Sequence, residues 1–181
     1  MGNQTIVRGL RNVKIAAWNA ENDYGTAYNI LGAREFSVEF VVETDELRGD
    51  DVVLDRFSKI VSVSARVEYA AVDLQALEIL SGGTFTSVAG YEDLMIGAED
   101  LTNYFAIAGK VVGSQSRDVH MFVPKARVSG NFGYQAQLDQ YLLPSLDIEG
   151  VKEGTINGFG RIRNFSLATT LAIPLSTTSG S

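Results

Sequence analysis

Hydrophobic and polar positions alternate most regularly between Arg34 and Gly83. Phe36, Val38, Phe40 and Val42 fall on one register, and Glu35, Ser37, Glu39 and Glu43 on the other. This period of two predicts a half-buried strand with one oily and one acidic face. After a turn-rich stretch from Asp45 to Asp51 the alternation returns, with Val61, Val63, Ala65, Val67 and Tyr69 set against Ser62, Ser64, Arg66 and Glu68. The two strands are expected to pair antiparallel and to feed a helix over residues 72–81. Asp73 supplies its N-cap, Leu74, Leu77, Ile79 and Leu80 its apolar stripe, and Gly82-Gly83 its left-handed stop.

Shorter periodic stretches flank this unit. A first strand is expected over Leu10–Trp18, a turn over Asn19–Gly25 and a short strand over Thr26–Leu31. Beyond the helix, Gly83–Glu99 reads as irregular, with Thr84–Val88 a short strand and Met95-Ile96 a buried anchor. Leu101–Val112 and Arg117–Val123 form a hairpin spacing around Gly113–Ser116, and Pro124 ends the second strand. Lys125–Ser129, Tyr134–Tyr141, Thr155–Arg161 and Asn164–Ala172 continue the series at intervals of about ten residues, the rhythm of a sandwich or barrel. The fold class is therefore mainly β, a sandwich or barrel-like domain over residues 1–175 with one short flanking helix and a long hairpin arm. Residues 176–181 form a loose tail.

Composition narrows the function classes. With 181 residues, 45% of them hydrophobic and 20% charged, the chain has enough apolar material for a sizeable core. Eighteen glycines against three prolines suit tight turns between strands. The absence of cysteine removes disulfides and thiolate metal sites. No apolar run reaches the roughly 20 residues of a membrane span, and the first residues lack a secretory pattern, so neither export nor membrane anchoring is expected.

The net charge of −7 is unevenly placed. Glu35–Asp55 holds eight acids and one base, Arg48, whereas bases gather at Arg8, Arg11 and Lys14, at Lys125 and Arg127, and at Arg161 and Arg163. Separated acidic and basic zones can steer copies of one chain head to tail. The segment Glu43–Phe57 is too acidic to be buried and reads as a projecting arm, with its loop over residues 45–57.

Catalytic and ligand motifs are weak. His120 is the only histidine and reads as a packed strand residue. Glu35, Glu39 and Glu43 stand roughly 13 Å apart along a strand, beyond the roughly 5–9.5 Å of paired glycosidase carboxylates. Asp45, Glu46, Asp50 and Asp51 lack the ladder of a calcium loop. Gly158-Phe159-Gly160 lacks the rest of a dinucleotide fingerprint, and Arg48-Gly49-Asp50 is explained by a turn. No catalytic, cofactor or metal residue is assigned from the sequence.

The phrases ELRGDDVVLDRF (Glu46–Phe57), ARVEYAAVDLQALEILSGG (Ala65–Gly83), DLTNYFAIAGKVVG (Asp100–Gly113) and VHMFVPKARVSG (Val119–Gly130), in this order of elements, resemble the major tail tube proteins of long-tailed bacteriophages. The resemblance covers roughly Leu10–Ala172. It implies hexameric rings whose inner sheets join into one β-barrel, stacked head to tail into a virion tail tube that conducts double-stranded DNA without reading its sequence. Tape-measure, tail-terminator and baseplate or tip proteins would be its partners, and synthesis would take place in the bacterial host cytoplasm.

Carried over position by position, the resemblance places the lumen-facing hairpin on Glu35, Glu39, Glu43, Ser62, Ser64, Arg66 and Glu68. The inter-ring arm falls on Asp45, Glu46, Arg48, Asp50, Asp51 and Asp55, and a basic receptor is expected at Arg8, Arg11, Arg161 or Arg163. An acidic lining fits a DNA conduit, because cationic walls would hold the polyanion. The alternatives are another self-assembling β-sandwich, such as a secretion-tube component, and a binding module of the capsid-decoration or carbohydrate-binding kind.

Overall fold

The computed structural model describes residues 7–49, 52–70, 73–97, 103–113, 117–130, 145–165 and 169–175. Period-two alternation is realised as one curled antiparallel sheet. Its strands are β1 (Val7–Ala20), β2 (Asp23–Tyr24), β3 (Tyr28–Asn29), β4 (Ala33–Gly49), β5 (Val52–Tyr69), β8 (Phe105–Gly113), β9 (Asp118–Val128), β10 (Ser145–Gly150) and β11 (Arg161–Phe165). The order across the sheet is β2-β1-β8-β9-β10-β5-β4, with β3 on β1 and β11 on β9. A separate two-stranded ribbon, β6 (Thr84–Val88) with β7 (Tyr91–Met95), follows the helix α1 (Leu74–Ser81).

The inner face of the curl holds the main core. Val13 and Ile15 of β1, Phe105 and Ile107 of β8, Leu146 and Ile148 of β10, and Val63, Ala65 and Val67 of β5 are all buried there. Gly109 lets the curl close: a Cβ at this position would overlap the Phe36 ring, so β4 folds back over β8 where a side chain is missing. Helix α1 lids one end with Ala76, Leu77 and Leu80. Asp73 caps it by accepting from the Gln75 and Ala76 amides, and Gly82 ends it at φ 75°, as the sequence predicts.

Several expectations are corrected. The segment expected as an arm loop over residues 45–57 is ladder almost throughout, pairing Asp45 with Phe57, Glu46 with Arg56 and Gly49 with Val52. Pro124 does not end a strand. It lies where β9 carries one residue more than β8 between the pairs Phe105–Ala126 and Ile107–Val123, a bulge that spares the ladder the missing N–H.

Gly83–Glu99 contains the β6–β7 hairpin, and Met95 and Ile96 are exposed rather than buried. Thr155–Arg161 is largely a turn. The buried Glu153 carboxylate accepts from the Asn22 and Ile156 amides and organises that turn, in which Asn157 adopts φ 50°. Among the described residues the last strand is β11, which takes in Asn164 and Phe165 of the expected strand Asn164–Ala172, and β10 has no counterpart in the expected strand list. The expected strand Tyr134–Tyr141 and the tail 176–181 lie outside the described residues.

The outer face is divided. Over β8 and β9 it is sealed by residues 169–175, whose Leu171 and Leu175 pack with Ala106, Ala108 and Phe122. A buried polar clamp fixes this strap. Lys110 Nζ lies 2.7 Å from Asp118 Oδ2 and donates to the Thr169 carbonyl, while the Thr169 amide donates to the same carboxylate oxygen at 2.7 Å.

Burial opposes ionisation of Asp118, yet the bonds from Lys110 and Thr169 outweigh it and hold its pKa below the usual carboxylate range. His120, also buried, is pushed below its usual value by burial first and by Lys110 next. Both lowered pKa values make the native state bind fewer protons than the unfolded chain, so stability falls as pH drops below about 6.5 and again below about 3.9. Lys110→Met is expected to lower the unfolding free energy by about 3–5 kcal/mol at neutral pH, because it leaves Asp118 buried without its cation. In urea titrations that deficit should shrink below about pH 4, where the unfolded carboxyl is protonated; a midpoint unchanged at neutral pH would contradict the clamp.

Candidate functional surface

The other half of the outer face is polar, and none of the described residues covers it. Register places Glu35 opposite Glu68, Ser37 opposite Arg66 and Glu39 opposite Ser64 between β4 and β5. On the far side of β5, Glu68 faces Ser145, Arg66 faces Asp147 and Ser64 faces Glu149. Glu149 in turn faces Arg127 of β9 and pairs with it at 3.4 Å. The expected residues Glu35, Glu39, Ser62, Ser64, Arg66 and Glu68 therefore share one surface, and Glu43 joins them along β4.

Asp147, Glu149 and Arg127 belong to the same surface but were not expected there. Their signal is the short alternation Leu146-Asp147-Ile148-Glu149, bracketed by Pro144 and Gly150, which reads as loop when taken alone.

Cations on this surface are few and engaged. Arg66 lies 3.5 Å from Glu68 on its own strand, so it offsets the like-charge pair Glu35–Glu68. Lys59 stands 3.8 Å from Glu43. The Lys125 ammonium, on the margin, lies 3.8 Å from the centre of the Trp18 ring and 4.5 Å from that of Tyr104. The acids Glu35, Glu39, Glu43, Glu68, Asp147 and Glu149 outnumber these bases, and the face remains anionic.

Beside it lies the sheet's open margin. Among the described residues no strand pairs the outer edge of β4, although β4 runs for 17 residues. Its charged side chains blunt this edge only in part, since Phe40, Val41 and Val42 are exposed in its middle. A bulge at Val61, between the pairs Val41–Ser62 and Val42–Ile60, re-aims the ladder where the arm leaves the body.

Both described bases of the arm converge on one acid. Glu46 takes Arg48 at 3.0 Å and also takes Arg56. Asp45 and Asp55 are exposed, while Asp50 and Asp51 lie outside the described residues. The expected basic residues lie on two strands. Arg11 sits on β1 beside Lys110, and Arg161 and Arg163 lie on β11, across β8 and β9, roughly 14 Å away at about 4.8 Å per strand. Arg8 lies on β1 with its side chain outside the described atoms. Among the described residues no cluster of three His, Asp or Glu side chains is arranged to hold a metal, and no helix is long and apolar enough to cross a membrane.

Because like charges directly opposite each other destabilise a sheet, Glu35→Gln is expected to raise the stability of the isolated chain by about 0.2–1 kcal/mol. Glu39→Gln, opposite a serine, should change it less; chemical denaturation of the two variants distinguishes them, and a loss of stability in Glu35→Gln would contradict this reading of the surface. In comparisons with known proteins, the chain matches no family model and no curated protein.

Proposed function

We propose that this chain is a structural subunit that closes into rings and stacks them into a tube, six copies per ring as in the phage tail tubes its sequence resembles, and that the tube conducts DNA. The observation that carries this reading is the 17-residue edge of β4, unpaired among the described residues and directly beside an anionic sheet face. An edge of this length is a template for another strand, and a ring supplies that strand for every copy at once. Closure of four-stranded segments, β4-β5-β10-β9, would turn their carboxylate faces into one continuous lining.

An anionic lining suits the cargo. Phosphates moving past cationic walls would release counterions and bind, whereas a wall of carboxylates lets the polyanion pass. Stacking of rings is a heterologous contact that does not close, so it propagates as a filament. The virion tail is the location this reading implies, with DNA and the tail's length-setting and end proteins as partners.

Negative-stain electron microscopy of the purified chain at high concentration tests the proposal. Hollow fibres of uniform width are expected, and a closed dimer or trimer that never elongates would contradict it. In fibres of Glu35→Lys/Glu39→Lys, duplex DNA should be retained at low salt and released at high salt, while wild-type fibres should not retain it.

A further inference from the structure

The strap over β8 and β9 is held by polar groups at one end and by apolar ones along its length. Residues 169–175 belong to no strand, so no ladder fixes them to the sheet. Leu171 and Leu175 anchor the strap on Ala106, Ala108 and Phe122, and Thr169 ties it to Lys110 and Asp118. An element held in this way can open without breaking the sheet beneath it.

His120 sits under the same joint. It shares the outer face of β9 with Asp118 and Phe122, is 1% exposed, and hydrogen-bonds the Thr169 backbone. Its Nε2 is buried without a hydrogen-bond partner among the described residues. Register sets Lys110 of β8 directly opposite the histidine on one side and Arg163 of β11 opposite it on the other. The Phe165 ring lies against the imidazole, with centroids 4.5 Å apart. Asp118 is the acid of this group, and it is already engaged by Lys110 and the Thr169 amide. Arg11 of β1 lines the cleft over Lys110 and Asp118 and brings another cation rather than an acid. A proton added at Nε2 therefore creates a buried charge between two bases, with no described acceptor for the new N–H.

We propose that residues 169–175 form an acid-released latch: protonation of His120 at Nε2 opens the strap and uncovers Ala106, Ala108 and Phe122 while the sheet stays folded. This latch is independent of the tube reading. Burial first, and then Lys110 and Arg163, disfavour the charged ring more than Asp118 and the Thr169 backbone favour it, so the closed strap holds the pKa of His120 below its usual value. Opening returns the ring to water and to a value of about 6.5. The open state then binds more protons than the closed one. Opening is therefore favoured as pH falls below about 6.5, by up to about tenfold per pH unit, until the closed state is protonated too.

His120 is the only histidine, so its ring resonances follow the trigger without overlap. In the dilute full chain, amide exchange corrected for intrinsic rates should show Thr169 opening at a smaller free energy than the amides of β8, which is paired on both sides. The Thr169 opening constant should rise by up to about tenfold per pH unit below about pH 6.5. His120→Gln should remove that rise. Arg163→Met, which takes away one cation facing the ring, should raise the ring pKa read by nuclear magnetic resonance and end the rise at a higher pH.

A Thr169 amide that opens only together with those of β8 would overturn the latch, as would an opening constant that does not change between about pH 7.5 and 5. A rise that survives in His120→Gln, or that ends at the wild-type pH in Arg163→Met, would assign the opening to another group and overturn it equally.

Discussion

A strand edge must find a partner or be defended, and among the described residues β4 finds no partner and is defended only in part. Its inward amides and carbonyls are satisfied by β5 from Ala33 to Gly49, while the outward ones face no strand among the described residues. Short edges, inward charges or a covering helix would have protected it, and α1 is committed to the base of the hairpin. This single constraint explains why the chain is read as one unit of a larger sheet.

The sheet's outer face shows what covering looks like where the fold supplies it. Over β8 and β9 the strap of residues 169–175 buries an apolar patch and is fixed by Lys110, Asp118 and Thr169. Over β4, β5 and β10 the same face carries carboxylates in register and receives no cover from the described residues. The contrast is chemical: alanines and Phe122 on one half, acids and serines on the other. Stability alone does not favour Glu35 opposite Glu68, and the anionic half is better understood as a surface kept for a use.

Much of this was legible in the chain itself. Period-two alternation gave β4 and β5 with their correct faces, and Asp73 and Gly82 bounded α1, because each signal is local. Legibility failed where long-range pairing decides. The alternation Leu146-Asp147-Ile148-Glu149 is too short to stand out beside Pro144 and Gly150, yet β5 and β9 on either side make it a central strand. Met95 and Ile96 are adjacent apolar residues, and only the pairing of β7 with β6 determines that Met95 points outward while Leu94 points in. The acidic arm looked like a loop because charges break its alternation, and only the backbone ladder between β4 and β5 shows that it is extended. The carboxylates on β4 and β5 share the face that alternation gave them, and the expected basic positions lie apart from it on β1 and β11.

The central claim is that the outward edge of β4 is completed by another copy of the chain. Hydrogen–deuterium exchange resolved to single amides, compared between dilute chain and assembled material, tests it most directly. The amides of β4 that point away from β5 should exchange rapidly in the dilute chain and become as protected as those of β5 on assembly. Equal protection of both sets in the dilute chain, or no gain on assembly, would contradict the account.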